Sequence, residues 1–161
     1  MKSKIFPFLS GKTLSGIEVQ TPEILLNKIT FISIGFQIDE QSTIDYWSKK
    51  IVSRFNQNPN FNYLEFPIVS PKQAPNKYIQ QFIDNQMRAS ISSNLHSNVV
   101  TIYEDYSLVL SKFGKINYDG PYFLITNPYG EMLSFSKDTN ERNLDIEQFG
   151  YTIAEELGNN R

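Results

Sequence analysis

The most constraining segment of the chain is Ile29-Thr30-Phe31-Ile32-Ser33-Ile34-Gly35-Phe36. It is apolar, β-branched and aromatic almost throughout. Such a run fits a strand covered on both faces, as at the centre of an α/β sheet. It falls far short of the roughly 18 apolar residues that span a bilayer, and no other stretch comes nearer. A strand buried on both sides requires helices to cover it, and the flanking sequence supplies them.

Asp39 or Ser42 can cap a helix that runs to about Asn56. Its apolar residues Ile44, Trp47, Ile51 and Phe55 step by 3, 4 and 4, which places them on one stripe. Asn56 to Asn60 reads as a polar loop. Tyr63 to Val69 is a second strand, and Pro67 inside it points to an edge position or a bulge, since proline cannot donate to a ladder. Pro75 to about Met87 is a second helix with Ile79, Phe82, Ile83 and Met87 on its stripe. Val99 to Tyr103 is a third strand, followed by a helix from Asp105 to Phe113 that Gly114 stops. Tyr122 to Thr126 and Glu131 to Phe135 form a hairpin around Asn127-Pro128-Tyr129-Gly130, whose proline and glycine fit a type I turn. Asn143 to Leu157 is a closing helix with Ile146, Phe149, Ile153 and Leu157 inward and Gly158 as its stop. Before the central strand, Phe6 to Gly16 reads as turns and short extended pieces, and Ile17 to Val19 as a short strand. Thr21-Pro22-Glu23 reads as a helix start, with Thr as N-cap and Pro in the first turn.

The order is therefore β-α-β-α-β-α-β-β-α. Strands alternating with helices imply parallel pairing, and the final hairpin adds antiparallel strands. This is the pattern of an α/β, thioredoxin-like three-layer sandwich: a mixed sheet with helices on both faces. The chain of 161 residues suits one such domain, 1–161.

Composition then excludes chemistry. The chain has no cysteine. That removes disulfides, thiolate nucleophiles, iron–sulfur clusters and thiolate zinc sites. A single histidine, His96, removes any site that needs two imidazoles. A pI near 5.4 with mixed charge offers no electrostatic footprint for nucleic acid. The opening MKSKIFPFLSGK lacks the continuous apolar region of a signal peptide. No catalytic set, cofactor or metal site emerges. Glu104 and Asp105 are adjacent on a strand end and point to opposite faces, so Asp105 reads as a helix cap and Glu104 as solvated.

Three motifs carry a family resemblance. PFLSGKTLSG resembles the lead-in of peroxiredoxin-type thioredoxin-like domains, NKITFISIGF their following strand, and GPYFLITNPYGEM their hairpin, in which a proline precedes the strand beside the active site. Within that superfamily, GFQIDEQSTIDYW, through Gln41 and Trp47, and MRASISSNLHSN, through Arg88 and His96, resemble the thioredoxin-like assembly-factor family of the mitochondrial F-type ATP synthase. The resemblance implies a non-enzymatic, redox-inactive assembly factor or accessory subunit of a membrane-bound energy-transducing complex. It implies protein partners among the subunits of that complex and a mitochondrial location; without it, the expectation is cytoplasmic. In redox members the strand-to-helix turn carries the reactive cysteine, and here that turn is Gln37 to Ser42. Hydroxyl and carboxylate cannot replace a thiolate in disulfide exchange.

The binding residues this implies are Asp39, Gln41, Ser42, Trp47, Gly120, Pro121 and Tyr122. Each has a structural counterpart. Asp39, Glu40 and Ser42 form a polar site or simply cap the helix. Trp47 is a partner contact or a core residue. His96 is a base or a structural hydrogen-bonding group. Gly120-Pro121 carries a cis bond, as in the superfamily, or is purely architectural. Tyr118, Tyr122, Phe123, Tyr129 and Phe135 form an exposed aromatic patch or a ring-rich core. The rival to protein binding is an enzyme that holds a small anion with Asp39 or Ser42 beside Pro121. A second rival is a permanently fixed subunit whose domain is only scaffold.

Overall fold

In the computed structural model the described residues are 4–116, 118, 120–137 and 143–159, without the side chains of 136, 137, 143–146 and 159. The strands are β1 (Lys4–Ile5), β2 (Ser10–Thr13), β3 (Glu18–Gln20), β4 (Ile29–Gly35), β5 (Phe61–Val69), β6 (Val100–Tyr103), β7 (Tyr122–Thr126) and β8 (Glu131–Lys137). The helices are α1 (Gln41–Phe55), α2 (Lys77–Ser90), α3 (Tyr106–Lys112) and α4 (Asn143–Asn159). All eight strands form one sheet in the order β1-β8-β7-β4-β5-β6-β2-β3. β4, β5 and β6 are parallel neighbours, and β7 and β8 close the other side antiparallel.

Every residue of β4 is buried, as its composition requires. Successive side chains go to opposite faces. Ile29 and Phe31 join Ile44, Trp47 and Ile51 of α1 and Phe149 and Ile153 of α4. Ile32 and Ile34 join Phe6, Leu9 and Leu25 of the N-terminal segment and Val109 and Leu110 of α3. Helices thus cover both faces of a mixed sheet, as expected. The chain moves in one direction across the sheet through β4, α1, β5, α2 and β6. With crossovers of the usual right hand, α2 then lies on the face of α1. The Tyr103 hydroxyl, 2.8 Å from Gln80 O, ties it there.

Several local expectations are corrected. Thr21 does not cap a helix. It is buried, donates to Pro7 O at 2.6 Å and accepts from Leu9 N at 2.8 Å, and only a 3-10 turn, Glu23–Leu25, follows. Pro67 is not on an edge strand, for β5 lies in mid-sheet. Instead the β5–β6 ladder is interrupted there: Glu65 bridges Val99, and pairing resumes only at Ile68 with Ile102. Gly158 does not stop α4, which continues to Asn159. The stripe of α2 is not core, since no residue of that helix is buried. Lys4–Ile5, outside any expected element, forms β1; within Phe6 to Gly16 one of the short extended pieces is β2, and the β2–β3 hairpin extends the sheet beyond β6. The side chain of Ile146 lies outside those described.

Candidate functional site

The site begins where β4 ends. Gly35 has no Cβ, and one would stand 2.8 Å from Ile44 Cδ1, so glycine lets α1 close onto the strand. The turn that follows is held by a carboxylate that sequence reasoning treated as one polar residue among three. Glu40 is buried, and its Oε1 accepts from Phe36 N at 2.7 Å and Gln37 N at 2.8 Å. With Gln37 it completes a capping box over a 3-10 turn, Ile38–Glu40, that leads into α1. Neither Asp39 nor Ser42 caps α1; both side chains are exposed. Ile38, immediately before Asp39, is 93% exposed.

Behind the turn the space is filled by rings. Phe36 packs edge-to-face against Tyr106, Tyr118 and Tyr122 at 5.5, 5.2 and 5.9 Å. The Tyr106 hydroxyl sits 2.5 Å from Phe36 O and 2.6 Å from Gln73 Oε1. Burial, more than the neighbouring Glu40, raises its pKa. Pro121, between Tyr118 and Tyr122, is itself buried. Its bond to Gly120 is trans; the cis peptide among the described residues is Thr21–Pro22.

The structure therefore brings Asp39, Gln41 and Ser42 together on one turn, with Gly120 and Pro121 on the other side of the ring cluster. It does not bring Trp47 or Tyr122 to the surface. Trp47 is 5% exposed and packs with Ile44 and Ile51, while Tyr122 is wholly buried. Of the ring candidates, Phe123 is also core, Phe135 packs on Phe113 and Tyr122, and Tyr129 stands exposed on its turn. His96 Nε2 lies 2.8 Å from Ile91 O. Asp105 caps α3 through Ser107 N at 2.8 Å, and that hydroxyl and amide hold its carboxyl below the ordinary range. Glu104 pairs with Lys112 at 3.4 Å.

Beneath the start of α1 runs a buried polar network that the sequence reading missed. The Tyr63 hydroxyl lies 2.8 Å from Ser33 Oγ and 2.7 Å from Ser48 Oγ, and donates to Glu65 Oε1 at 3.1 Å. Gln41 Nε2 reaches Asp45 Oδ1 at 2.7 Å and Glu65 Oε2 at 3.5 Å. Burial pushes the Glu65 carboxyl up to about 6 and the Tyr63 hydroxyl well above its usual value. One signal was available: a glutamate inside the apolar strand Tyr63 to Val69 must be paired if buried. Among the described residues, no group of three His, Asp or Glu side chains could hold a metal ion.

Comparison with solved structures shows what this geometry belongs to. A protein assigned as the thiol:disulfide interchange protein DsbE from Chlorobium tepidum superposes with a TM-score of 0.66 at 11% identity, over 98% of this chain and 98% of that one. BsSco, a member of the Sco family of cytochrome c oxidase assembly proteins, gives 0.63 at 12% identity, over 97% and 95%. The fold is thioredoxin-like. A thioredoxin-family thiol:disulfide interchange protein from Chlorobium tepidum TLS gives 0.58 at 12% identity, over 98% of each chain. No protein-family model and no curated protein matches the sequence. Two of these neighbours are named for thiol–disulfide exchange, and this chain, without cysteine, cannot perform it. It carries the fold without thiol chemistry.

Proposed function

We propose that this chain works by binding another protein, on the face built from the Gln37–Ser42 turn and the Gly120-Pro121 loop, and that it is not an enzyme. Ile38 carries the reading. It projects 93% exposed from the turn that holds the reactive cysteine in redox members of the superfamily. An isoleucine there has no folding role, and its burial against a partner is worth roughly 1.5–3 kcal/mol. Ile116, 89% exposed, lies two residues from Tyr118, whose ring packs on Phe36, two residues before Ile38. Both exposed isoleucines therefore lie within two residues of one ring cluster. Asp39 and Ser42 supply a polar rim of the kind interfaces carry. An anion-binding enzyme requires these groups to converge on a pocket beside Pro121; instead they face solvent, and rings fill the space behind them.

At a finer level, the partners are subunits of a membrane-bound energy-transducing complex in the mitochondrion, and the role is in its assembly. Two things support this: the sequence resemblance to ATP synthase assembly factors, and the description of BsSco, on the same fold, as a member of an assembly-protein family. The test is affinity capture of native protein followed by mass spectrometry, with Ile38→Asp alongside. A stable partner that Ile38→Asp depletes at least tenfold is expected. Capture unaffected by that substitution, or no stable partner, overturns the reading.

A further inference from the structure

A second surface lies at the opposite end of the sheet. β3 is an edge strand, and its hydrogen bonds to the rest of the sheet run through alternate residues. Thr13 N donates to Ile17 O, Thr21 N donates to Leu9 O, and Val19 stands opposite Gly11. In an antiparallel pair the intervening residues turn their N–H and C=O groups the other way. Those of Glu18 and Gln20 therefore point off the sheet, and no described residue receives them. The β2–β3 register has neither a bulge nor a proline, two of the devices that commonly close an edge to pairing.

Beside this edge is a cleft of about 1080 Å³ on the α2 face. Lys12, Glu18 and Gln20 form its floor, and Lys77, Gln80 and Gln81 of α2 form its wall. Its α2 wall is a helix with no fully buried side chain, tied to the sheet by the Tyr103 hydroxyl at Gln80 O and at Asp84 Oδ1, 2.6 Å away, and to the N-terminal segment by Arg88, which donates to Leu14 O at 3.1 Å.

We propose that the β3 edge and this cleft dock an extended peptide of a partner protein by strand addition. The backbone of the peptide pairs with Glu18 and Gln20, and every second side chain enters the cleft. The outward groups repeat every two residues, about 7 Å, which is the repeat of another strand and not of a compact metabolite. Acids (Glu18, Glu23, Asp84) and lysines (Lys12, Lys77) line the cleft together, so neither charge sign is favoured. The amides of Gln80 and Gln81 suit uncharged polar side chains, threonine above all. This proposal is independent of the Ile38 face.

The test uses the full chain, ¹⁵N-labelled, and a blocked heptapeptide, Lys-Thr-Val-Thr-Val-Thr-Lys. Saturable amide shifts at Glu18, Gln20, Gln80 and Gln81 are expected. Gln20→Pro removes one outward donor and leaves the bonds to β2 intact, so it should weaken binding roughly two- to tenfold. Glu18→Pro serves if that variant does not fold. An analogue of the heptapeptide with ester links in place of the pairing amides, tested on the unaltered chain, should weaken binding similarly. Ile38→Asp should leave it unchanged. Three results each overturn the proposal: no shifts at millimolar peptide, equal binding of ester and amide forms, or concentration-dependent shifts at Glu18 and Gln20 without peptide, which assign the edge to a second copy of the chain.

Discussion

Glu65 shows how a single buried carboxyl sets a pH dependence. Its ordinary value of 4.5 is raised to about 6, chiefly by loss of solvent, with Asp45 adding to the rise and the bonds from Tyr63 and Gln41 opposing it. Between those two values the folded chain holds more protons at this site than the unfolded chain. Stability therefore falls as pH rises through that window, and the cost is complete above it. At about 1.4 kcal/mol per unit it reaches roughly 2 kcal/mol. Glu65→Gln keeps an acceptor for the Tyr63 hydroxyl and removes the titration. Urea denaturation should show the variant gaining about 2 kcal/mol on the natural chain between pH 4 and pH 7.5; parallel profiles would contradict the assignment. Thr30 and Thr126 make a related case. They face each other across β4 and β7, fully buried, and neither hydroxyl has a partner among the described residues. Replacing both with valine keeps the shape and removes two desolvated hydroxyls. We expect a gain of about 1 kcal/mol or more, read as a higher denaturation midpoint. Glu65 inside an apolar strand signalled that a partner was needed, but neither its partners nor the unpaired threonines were legible, because hydrophobic patterning marks a strand as buried and is silent on how its few polar members are satisfied.

Elements were legible to the extent that their own periodicity determines them. The stripe of Ile44, Trp47, Ile51 and Phe55 is core as expected, for α1 lies over a sheet that needs cover. The start of that helix was misread because Asp and Ser are commoner caps than Gln. The useful signal was the three-residue spacing of Gln37 and Glu40. Glu40→Ala strips the acceptor from two backbone N–H groups, one of them buried. It should cost about 1–3 kcal/mol, most of which Glu40→Gln restores. In α2 the same periodicity marked a stripe that the fold covers only in part: Ile83 and Met87 are half-buried, Ile79 and Phe82 exposed. A repeat identifies which face is apolar; what covers that face depends on the rest of the fold. Tyr78 and Phe82 remain 83% and 59% exposed. Phe82→Ala should therefore cost less than about 1 kcal/mol, against about 2–5 kcal/mol for Ile51→Ala in α1. Equal losses would mean that α2 is packed in solution.

At the scale of the molecule, alternation of strands and helices carried the topology, because parallel neighbours can be joined only by crossovers. It could not reveal β1 or the pairing of β2, with two and four residues, for segments so short show no period; β3 was legible only as the short strand Ile17 to Val19, one residue out of place. The consequence is an uneven structure. β4 is paired on both sides and buried along its whole length, and β7, between β4 and β8, is equally enclosed. β3 is paired on one side only, and α2 has no fully buried residue. Regions with little buried apolar contact open at free energies well below that of global unfolding. Native-state hydrogen exchange should therefore rank the chain. Amides of α2 and β3 should exchange first and independently of denaturant, those of α1 next, and those of β4 and β7 only with global unfolding. The same ranking bears on both docking faces. The Gln37–Ser42 turn is held by the buried Glu40 and backed by rings, so a partner meets it already ordered. The cleft beside β3 is bounded by an edge strand and by a helix with no fully buried residue, so a peptide there must also order α2. Slowed exchange in α2 on addition of peptide, with β4 and β7 unchanged, is the expected mark of that coupling. Exchange in α2 as slow as in β4 without peptide would show instead that the cleft is already closed.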